Sequence, residues 1–346
     1  MVRVARRVRA IVRDITRSHT RPLQLEWASD RSSPELHGHI SGEWRSDDSI
    51  LMSCPELVLE GRQRKHFFAE RFIYQLRDTV YEPKSGLPFL KGHPLVESHA
   101  VRVEELQHLA SRNSYPKSEI LGPSTGLSGV PYYHWLLEQL PAALRAQEFQ
   151  SDVTALYWNH GPSYVKSAAD SLFTTSLSID TPILARTYIL AGQHRDSGYP
   201  HPRDAEILRH ATEALRVSPT DLRLLVTRKH LTRSPDNEAA FADLLAEQYG
   251  FLVLEPEEVN WSEQVKLFSR ANLVVGIHGG ALANLVFASP GTRVIEVLPL
   301  RRLVTCYANL AHILNLDYDS ILLSPAPSNE YGDLLQAMAS LQQRLG

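Results

Sequence analysis

Between Ala271 and Pro299 the chain reads Ala-Asn-Leu-Val-Val-Gly-Ile-His-Gly-Gly-Ala-Leu-Ala-Asn-Leu-Val-Phe-Ala-Ser-Pro-Gly-Thr-Arg-Val-Ile-Glu-Val-Leu-Pro, and this stretch predicts a βαβ unit. Leu273 to Ile277 is a short apolar run of the kind a buried parallel strand shows, and it stops at His278-Gly279-Gly280. Ala281 to Phe287 then reads as a short helix, Ser289-Pro290-Gly291 as a second turn, and Thr292 to Leu298 as a strand rich in β-branched residues. Adjacent glycines ahead of a helix let the backbone approach a ligand closely. The first-turn N–H groups there have no intrahelical acceptors and sit at the positive end of the dipole. The pair Gly279-Gly280 is therefore either a plain tight turn or the seat of an anion such as a diphosphate.

At 346 residues the chain is long enough for two domains, each with its own core. Its 43% hydrophobic and 22% charged residues are ordinary for a globular protein, and a net charge of -3 argues against a broad nucleic-acid surface. The two cysteines, Cys54 and Cys306, match no metal spacing and suggest no disulfide framework, which fits a reducing cytoplasm. No apolar run approaches the roughly 20 residues needed to span a bilayer, and no signal-peptide apolar core opens the sequence, so no export by an obvious route is expected.

The first segment carries Arg3, Arg6, Arg7, Arg9, Arg13 and Arg17 against Asp14 alone, with Val4, Val8, Ile11 and Ile15 at helical spacing. Such a basic amphipathic helix can lie on an anionic membrane surface, here the inner face of the plasma membrane; packing on the protein body or a disordered arm are the other readings. From Ile50 to Ala100 the pattern gives short strands at Leu57 to Leu59, Arg71 to Leu76 and Thr79 to Tyr81, with a turn at Pro83 to Gly86 and Pro88 to Leu90 beyond it. Val103 to Ala110 reads as a helix and Pro123 to Gly129 as a Gly/Ser/Thr-rich loop. That loop leads to Tyr132-Tyr133-His134-Trp135-Leu136-Leu137-Glu138-Gln139-Leu140, where Tyr133, Leu136, Leu137 and Leu140 have the spacing of a buried helical face.

His134 and Glu138, four residues apart, are neighbours on another face. A carboxylate beside an imidazole orients the ring and favours its protonated form, which suits a general base; a structural surface pair is the competing reading. Pro141 lacks an N–H, so the helix must kink or restart there. Beyond it come a strand at Val153 to Trp158, a helix at Pro162 to Phe173, a strand at Thr187 to Leu190 and a helix at Pro202 to Arg216, an alternation that puts the first domain on a sheet with helices.

After Ser218-Pro219-Thr220 the alternation becomes regular. Strands are expected at Leu222 to Thr227, Phe251 to Leu254, the two of the βαβ unit, and near Tyr318 to Leu322; helices at Asp236 to Tyr249, Trp261 to Arg270 and near Val304 to Leu314. The first helix is expected to start with Ser234 as capping hydroxyl and Pro235 at its first position, the second with Asn260 as cap and Glu263 three residues on. Five strands with interleaved helices make a parallel Rossmann-like domain whose ligands lie outside the carboxyl ends of its strands. Arg228 and Lys229 follow the first strand and Gly279-Gly280 the third, so both project to one edge. Arg228, Lys229 and Arg233 supply positive charge there, and Glu296 is either a carboxylate that takes two ribose hydroxyls or one half of a salt bridge. No G-x-G-x-x-G follows the first strand and no Walker-type loop is present, which disfavours a nicotinamide cofactor.

Tyr-Tyr-His-Trp-Leu-Leu-Glu at 132 to 138, Thr-Arg-Lys at 227 to 229, Arg233, the Asn237-Glu238 pair, and Gly-Ile-His-Gly-Gly-Ala-Leu-Ala-Asn-Leu-Val-Phe followed by Val-Ile-Glu together resemble glycosyltransferase family 61 over about residues 50 to 325. That family includes bacterial capsule and polysaccharide enzymes and eukaryotic xylosyl- and N-acetylglucosaminyltransferases. The resemblance implies an α/β protein of GT-B type, two Rossmann-like domains facing across a cleft, with a C-terminal helix that returns to the N-terminal domain. The expected division is a basic segment at 1–45, an acceptor-side domain at 46–218, a nucleotide-sugar domain at 219–325 and a helix at 326–346. The implied activity is inverting, metal-independent transfer from a UDP-sugar to a bacterial polysaccharide or glycolipid, with no cofactor.

His134 is then the expected base, with Glu138 orienting it or serving as base itself. Arg228, Lys229, Arg233, Asn237, His278, Gly279, Gly280 and Ala281 are expected around the donor, chiefly its diphosphate, with Glu296 on the ribose and Asn284 near the sugar. Asp317-Tyr318-Asp319 reads as structural. Two other classes stay open: a non-catalytic scaffold that keeps the nucleotide pocket, and a nucleotide-sugar epimerase of GT-B architecture.

Overall fold

The computed structural model describes residues 50–55, 63–68, 73–90, 93–94, 118–127, 131–192, 200–228, 234–302 and 304–345. The basic helix expected within 1–17, the strand at Leu57 to Leu59 and the helix at Val103 to Ala110 lie outside the described residues. Two compact units form. One draws on Glu70–Pro131 and Gln139–Arg195, the other on Asp48–Ala69, Tyr132–Glu138 and Asp196–Gly346.

The second unit contains an antiparallel ribbon of β1 (Ile50–Pro55) and β2 (Gln63–Phe68). The first unit is a seven-stranded sheet of β3 (Ile73–Glu82), β4 (Leu87–Leu90), β5 (His93–Pro94), β6 (Glu119–Leu127), β7 (Thr154–Trp158), β8 (Thr175–Ile179) and β9 (Ile183–Ala191), in the order β5-β4-β3-β9-β6-β7-β8. Its β9-β6-β7-β8 portion is parallel, with helices Leu140–Phe149 and Ser163–Leu172 as crossovers. The other half is antiparallel, which departs from the all-Rossmann expectation for this domain. The cause is local: only the turn at 83–86 separates β3 from β4, and parallel strands need a crossover of a dozen or more residues.

Three further differences have physical reasons. The described part of the first expected strand, from Ile73 to Leu76, and Thr79 to Tyr81 belong to one strand, β3; Asp78, at φ 49, breaks the apolar periodicity while the pairing with β9 continues in register past it. Pro123 to Leu127, expected as loop, is the end of β6. A Cβ at Gly126 would come within 2.2 Å of the Tyr81 ring, so this glycine serves close packing of a strand and not a turn. Strand β8, Thr-Ser-Leu-Ser-Ile at the sheet edge, carries too little apolar signal to be seen in the sequence.

The five expected strands of the second unit all form: β10 (Leu222–Val226), β11 (Phe251–Leu254), β12 (Ala271–Ile277), β13 (Arg293–Pro299) and β14 (Asp317–Leu323). All pair in parallel, in the order β11-β10-β12-β13-β14. Chain order thus reverses between β10 and β12, and the carboxyl ends of these two strands flank the switch point where open α/β sheets bind ligands.

Helices Glu238–Tyr249, Trp261–Arg270 and Cys306–Leu314 connect the strands. Asn260 caps the second as expected, its Oδ1 accepting from Glu263 N at 2.9 Å. The first instead starts after Asn237, which lies at φ 62 with no side-chain cap bond, and the Ser234 hydroxyl donates to the Arg228 carbonyl.

The C-terminal helix differs from expectation in its docking. Leu334, Ala337, Met338 and Leu341 pack with Leu225, Phe241, Ile295 and Ile321 in the core of the second unit, and Leu335 is exposed. Asp319 pairs with Arg344 of the same helix (Oδ2–Nε 2.5 Å), the structural role expected for the acidic pair. Among the described residues no helix is long and apolar enough to cross a membrane. Because Leu341 is fully buried, Leu341→Ala is expected to cost about 2–5 kcal/mol in urea unfolding; a change under about 0.5 kcal/mol would show that the helix docks elsewhere.

Candidate active site

Two strand ends and one distant helical turn build the site within the second unit. Strand β12 ends on Ile277, after which His278 N donates to the Val297 carbonyl and the chain turns through Gly279. The helix that follows, Gly280–Phe287, is a 3-10 helix and starts one residue earlier than expected. Its residues Leu282 to Phe287 are all buried, and the tight short winding is what such connectors commonly adopt.

Arg228, just past β10, reaches across the switch point and its Nη1 donates to the His278 carbonyl. A Cβ at Gly279 would lie 2.4 Å from that Nη1. Gly279 itself is extended, at φ 176, so the position needs glycine for the space the guanidinium occupies. The turn is further clamped by Tyr307, whose hydroxyl donates to the Gly279 carbonyl. Burial pushes the Tyr307 phenol well above its usual range, which keeps it a donor. Arg228 is held from behind as well: its N–H donates to Glu238, and burial raises that carboxyl above the usual range.

A strap from the C-terminal region fixes the same corner. Asn329 Nδ2 donates to the Ser234 carbonyl at 2.9 Å and to Asp236 at 3.0 Å, Ser328 Oγ donates to Asp236 at 2.5 Å, and Leu334 N donates to the Asp236 carbonyl at 3.1 Å.

The helical turn Tyr132–His134 continues as a π-helix, Trp135–Gln139, before the α-helix that begins at Leu140 with Pro141 in its first turn. The wide π turn absorbs the interruption that a proline without an N–H imposes. Residues 132–138 belong to the second unit. Tyr132 OH donates to Asn284 Oδ1 at 2.6 Å, and Asn284 Nδ2 donates to Gln264 Oε1 at 2.9 Å, so the fully buried Asn284 ties this turn to the 3-10 helix and to helix Trp261–Arg270. Trp135 packs edge-on against Trp261 at 6.2 Å between ring centroids, and Trp261 does the same with Phe287 at 5.8 Å.

His134 lies on this turn with Nδ1 3.0 Å from Glu138 Oε1. Its side chain is 32% exposed while that of Glu138 is 7% exposed, so the ring has solvent on one side and a shielded carboxylate on the other. The hydrogen bond to Glu138 raises the His134 pKa above the ordinary imidazole value, against the opposing effect of burial. A path of ring contacts leads from this dyad to the Gly-Gly turn: His134 to Tyr133 at 5.4 Å, Tyr133 to Tyr307 at 5.9 Å, and Tyr307 to His278 at 5.4 Å between centroids.

Of the residues expected around the donor, Arg228, His278, Gly279 and Gly280 are brought together, with Ala281 on the first turn of the 3-10 helix. Lys229 and Arg233 lie outside the described residues. Asn237 is exposed at the start of its helix. Asn284 is engaged by Tyr132 and Gln264, and Glu296 is fully buried with one oxygen 2.5 Å from His278 Nδ1 and the other accepting from Tyr318 OH at 2.5 Å. Both carboxylate oxygens of Glu296 are thus engaged within the protein. Tyr132, Gln264, Tyr307 and Tyr318 are the site residues that sequence reasoning passed over. Each acts through one hydroxyl or amide aimed at a residue of another element, and spacing within an element carries no signal of that.

The model of the family described as Glycosyltransferase 61 matches residues 132–295, a span that begins at Tyr132 and includes His134, Glu138, Arg228 and the Gly279-Gly280 turn. The chain is 28% identical over 88 residues to beta-1,2-xylosyltransferase RCN11 of Oryza sativa subsp. japonica, covering 25% of this chain and 16% of that one. It is 29% identical over 93 residues to xylan glycosyltransferase MUCI21 of Arabidopsis thaliana, covering 25% and 19% respectively. The match thus spans less than a fifth of either curated relative, and both are plant proteins. Together these matches support a glycosyltransferase of family 61.

The bridge through Asn284 gives a direct test. Tyr132→Phe removes the donor to a buried amide oxygen, and an unfolding cost of about 1–3 kcal/mol is expected. No change in urea unfolding would mean that the helical turn is not anchored through Asn284.

Proposed function

We propose that the protein transfers a sugar from a UDP-sugar to a hydroxyl of a polysaccharide or glycolipid acceptor, with inversion at the anomeric carbon and without a metal. The observation that carries this reading is the meeting, in one unit, of a guanidinium held on the His278–Gly280 turn and a partly exposed His134 paired with a buried Glu138. In such a displacement the acceptor oxygen bonds to the anomeric carbon as the bond from that carbon to the diphosphate oxygen breaks. The electron pair leaves on the diphosphate, and His134 takes the acceptor proton. Arg228 and the first N–H groups of the 3-10 helix balance the diphosphate charge as it develops. The name of the rice relative, a beta-1,2-xylosyltransferase, makes UDP-xylose the first donor to try. The cytoplasmic face of the membrane, reached through residues 1–17, is the proposed place of action.

Two outcomes follow. His134→Ala should lower transfer by about 10²–10⁴-fold, the usual worth of a general base, with UDP affinity nearly intact, whereas Arg228→Ala should weaken UDP binding directly. Calorimetry and transfer assays that found the two variants alike would overturn the division of roles. Because Glu138 holds the His134 pKa above 6.5 and a base must be neutral to act, the acid limb of kcat should lie above pH 6.5 and move to lower pH in Glu138→Gln. A limb unmoved by that substitution would assign the proton to another group.

A further inference from the structure

The proposed mechanism leaves one built constellation unused. His278 and Glu296 are both buried and joined through Nδ1 and Oε1 at 2.5 Å, and Tyr318 holds the second carboxylate oxygen at 2.5 Å. These three come from the end of β12, the middle of β13 and the start of β14, so consecutive strands of the sheet deliver them side by side. Burial, reinforced by the adjacent carboxylate, raises the Tyr318 phenol far above its usual range, and it stays a donor to Glu296. The other groups facing this pocket are Tyr307, whose ring lies edge-on to His278 at 5.4 Å, the Cys306 thiol, raised by burial and by Glu296, and Arg228 on the His278 carbonyl.

Carboxylates paired this way fix which nitrogen of an imidazole donates to them and how the ring is turned. With Nδ1–H committed to Glu296, Nε2 is the ring nitrogen left for a ligand. The backbone of His278 is already part of the turn that Arg228 grips.

We propose that Glu296 and Tyr318 are positioning residues that hold His278 so that its Nε2–H donates to the diphosphate of the donor, making His278–Glu296 a leaving-group dyad that complements the His134–Glu138 dyad on the acceptor. This rests on the glycosyltransferase reading above and replaces the ribose contact expected of Glu296. A ring that donates to Glu296 through Nδ1 and to a phosphate oxygen through Nε2 carries both protons, and its positive charge is matched by the carboxylate behind it. His278 keeps its proton throughout. It stabilises the departing oxygen by a hydrogen bond and adds no atom to the balance of the transfer.

The test is calorimetric titration of the full chain with UDP, UMP and 2′-deoxy-UDP, for the parent, Glu296→Gln, Tyr318→Phe, His278→Ala and the His278→Ala/Glu296→Gln double variant. Glu296→Gln is expected to weaken UDP binding about tenfold and UMP binding less than about twofold, and to leave the preference for UDP over 2′-deoxy-UDP unchanged. In the His278→Ala background the same substitution should have no further effect on UDP, since a residue that acts through another is silent once the other is gone. Tyr318→Phe, which leaves the His278–Glu296 pair intact, should weaken UDP binding about threefold, and it carries the test if Glu296→Gln does not fold. Equal loss of UDP and UMP together with loss of the 2′-deoxy discrimination would return Glu296 to the ribose and overturn the inference. So would unchanged UDP binding in Glu296→Gln and Tyr318→Phe. A parent that binds none of the three nucleotides would overturn the glycosyltransferase reading itself, an outcome distinct from either of these.

Discussion

One side-chain amide determines where His134 can be. Asn284 is fully buried, and it spends its oxygen on Tyr132 and its nitrogen on Gln264. A buried amide with either half unmet would be costly, so the helical turn that bears Tyr132 is fixed to the second unit although 152 residues separate the two partners in sequence. Once Tyr132 is placed, Tyr133 meets Tyr307 and Trp135 meets Trp261, and the His134–Glu138 dyad joins the unit that holds Arg228 and the Gly279-Gly280 turn. The site's geometry therefore depends on a polar bridge in an otherwise apolar interface.

The sheet of the second unit was legible in the sequence because each of its strands is a short β-branched or leucine-rich run closed by turn residues, and helix Trp261–Arg270 because its cap is written in Asn260 and Glu263. The seven-stranded sheet was less so. Strand β6 ends in Gly-Pro-Ser-Thr-Gly-Leu, which has the composition of a loop, and only the Tyr81 ring lying over Gly126 explains why a strand needs it. Within the site the sequence located the convergent edge through Arg228 and the glycines, and it identified His134 with Glu138 by their spacing. It left the side-chain partners of Glu296 and Asn284 open. A carboxylate on β13 can face a ribose or a neighbouring strand with the same local sequence, and the partners that Glu296 has here, His278 and Tyr318, lie 18 and 22 residues away.

The two dyads divide their exposure in the sense their chemistry asks for. His134 keeps a third of its side chain open, which suits the role proposed for it towards an acceptor, while its carboxylate partner is shielded. His278 and Glu296 are both closed off, in surroundings where a buried polar group left without a hydrogen-bond partner would be costly. Arg228 stands between these regimes, its guanidinium taken up by the backbone of the turn and its own N–H by Glu238.

The strap formed by Ser328, Asn329 and Leu334 makes the last restraints on this corner follow the synthesis of the whole parallel sheet. Every strand of the parallel sheet precedes it in sequence, yet the residues that pin Ser234 and Asp236, and through Ser234 the carbonyl of Arg228, emerge from the ribosome only after β14. The sheet can therefore assemble during synthesis while the corner that carries Arg228 still lacks the restraints that only residues beyond β14 supply.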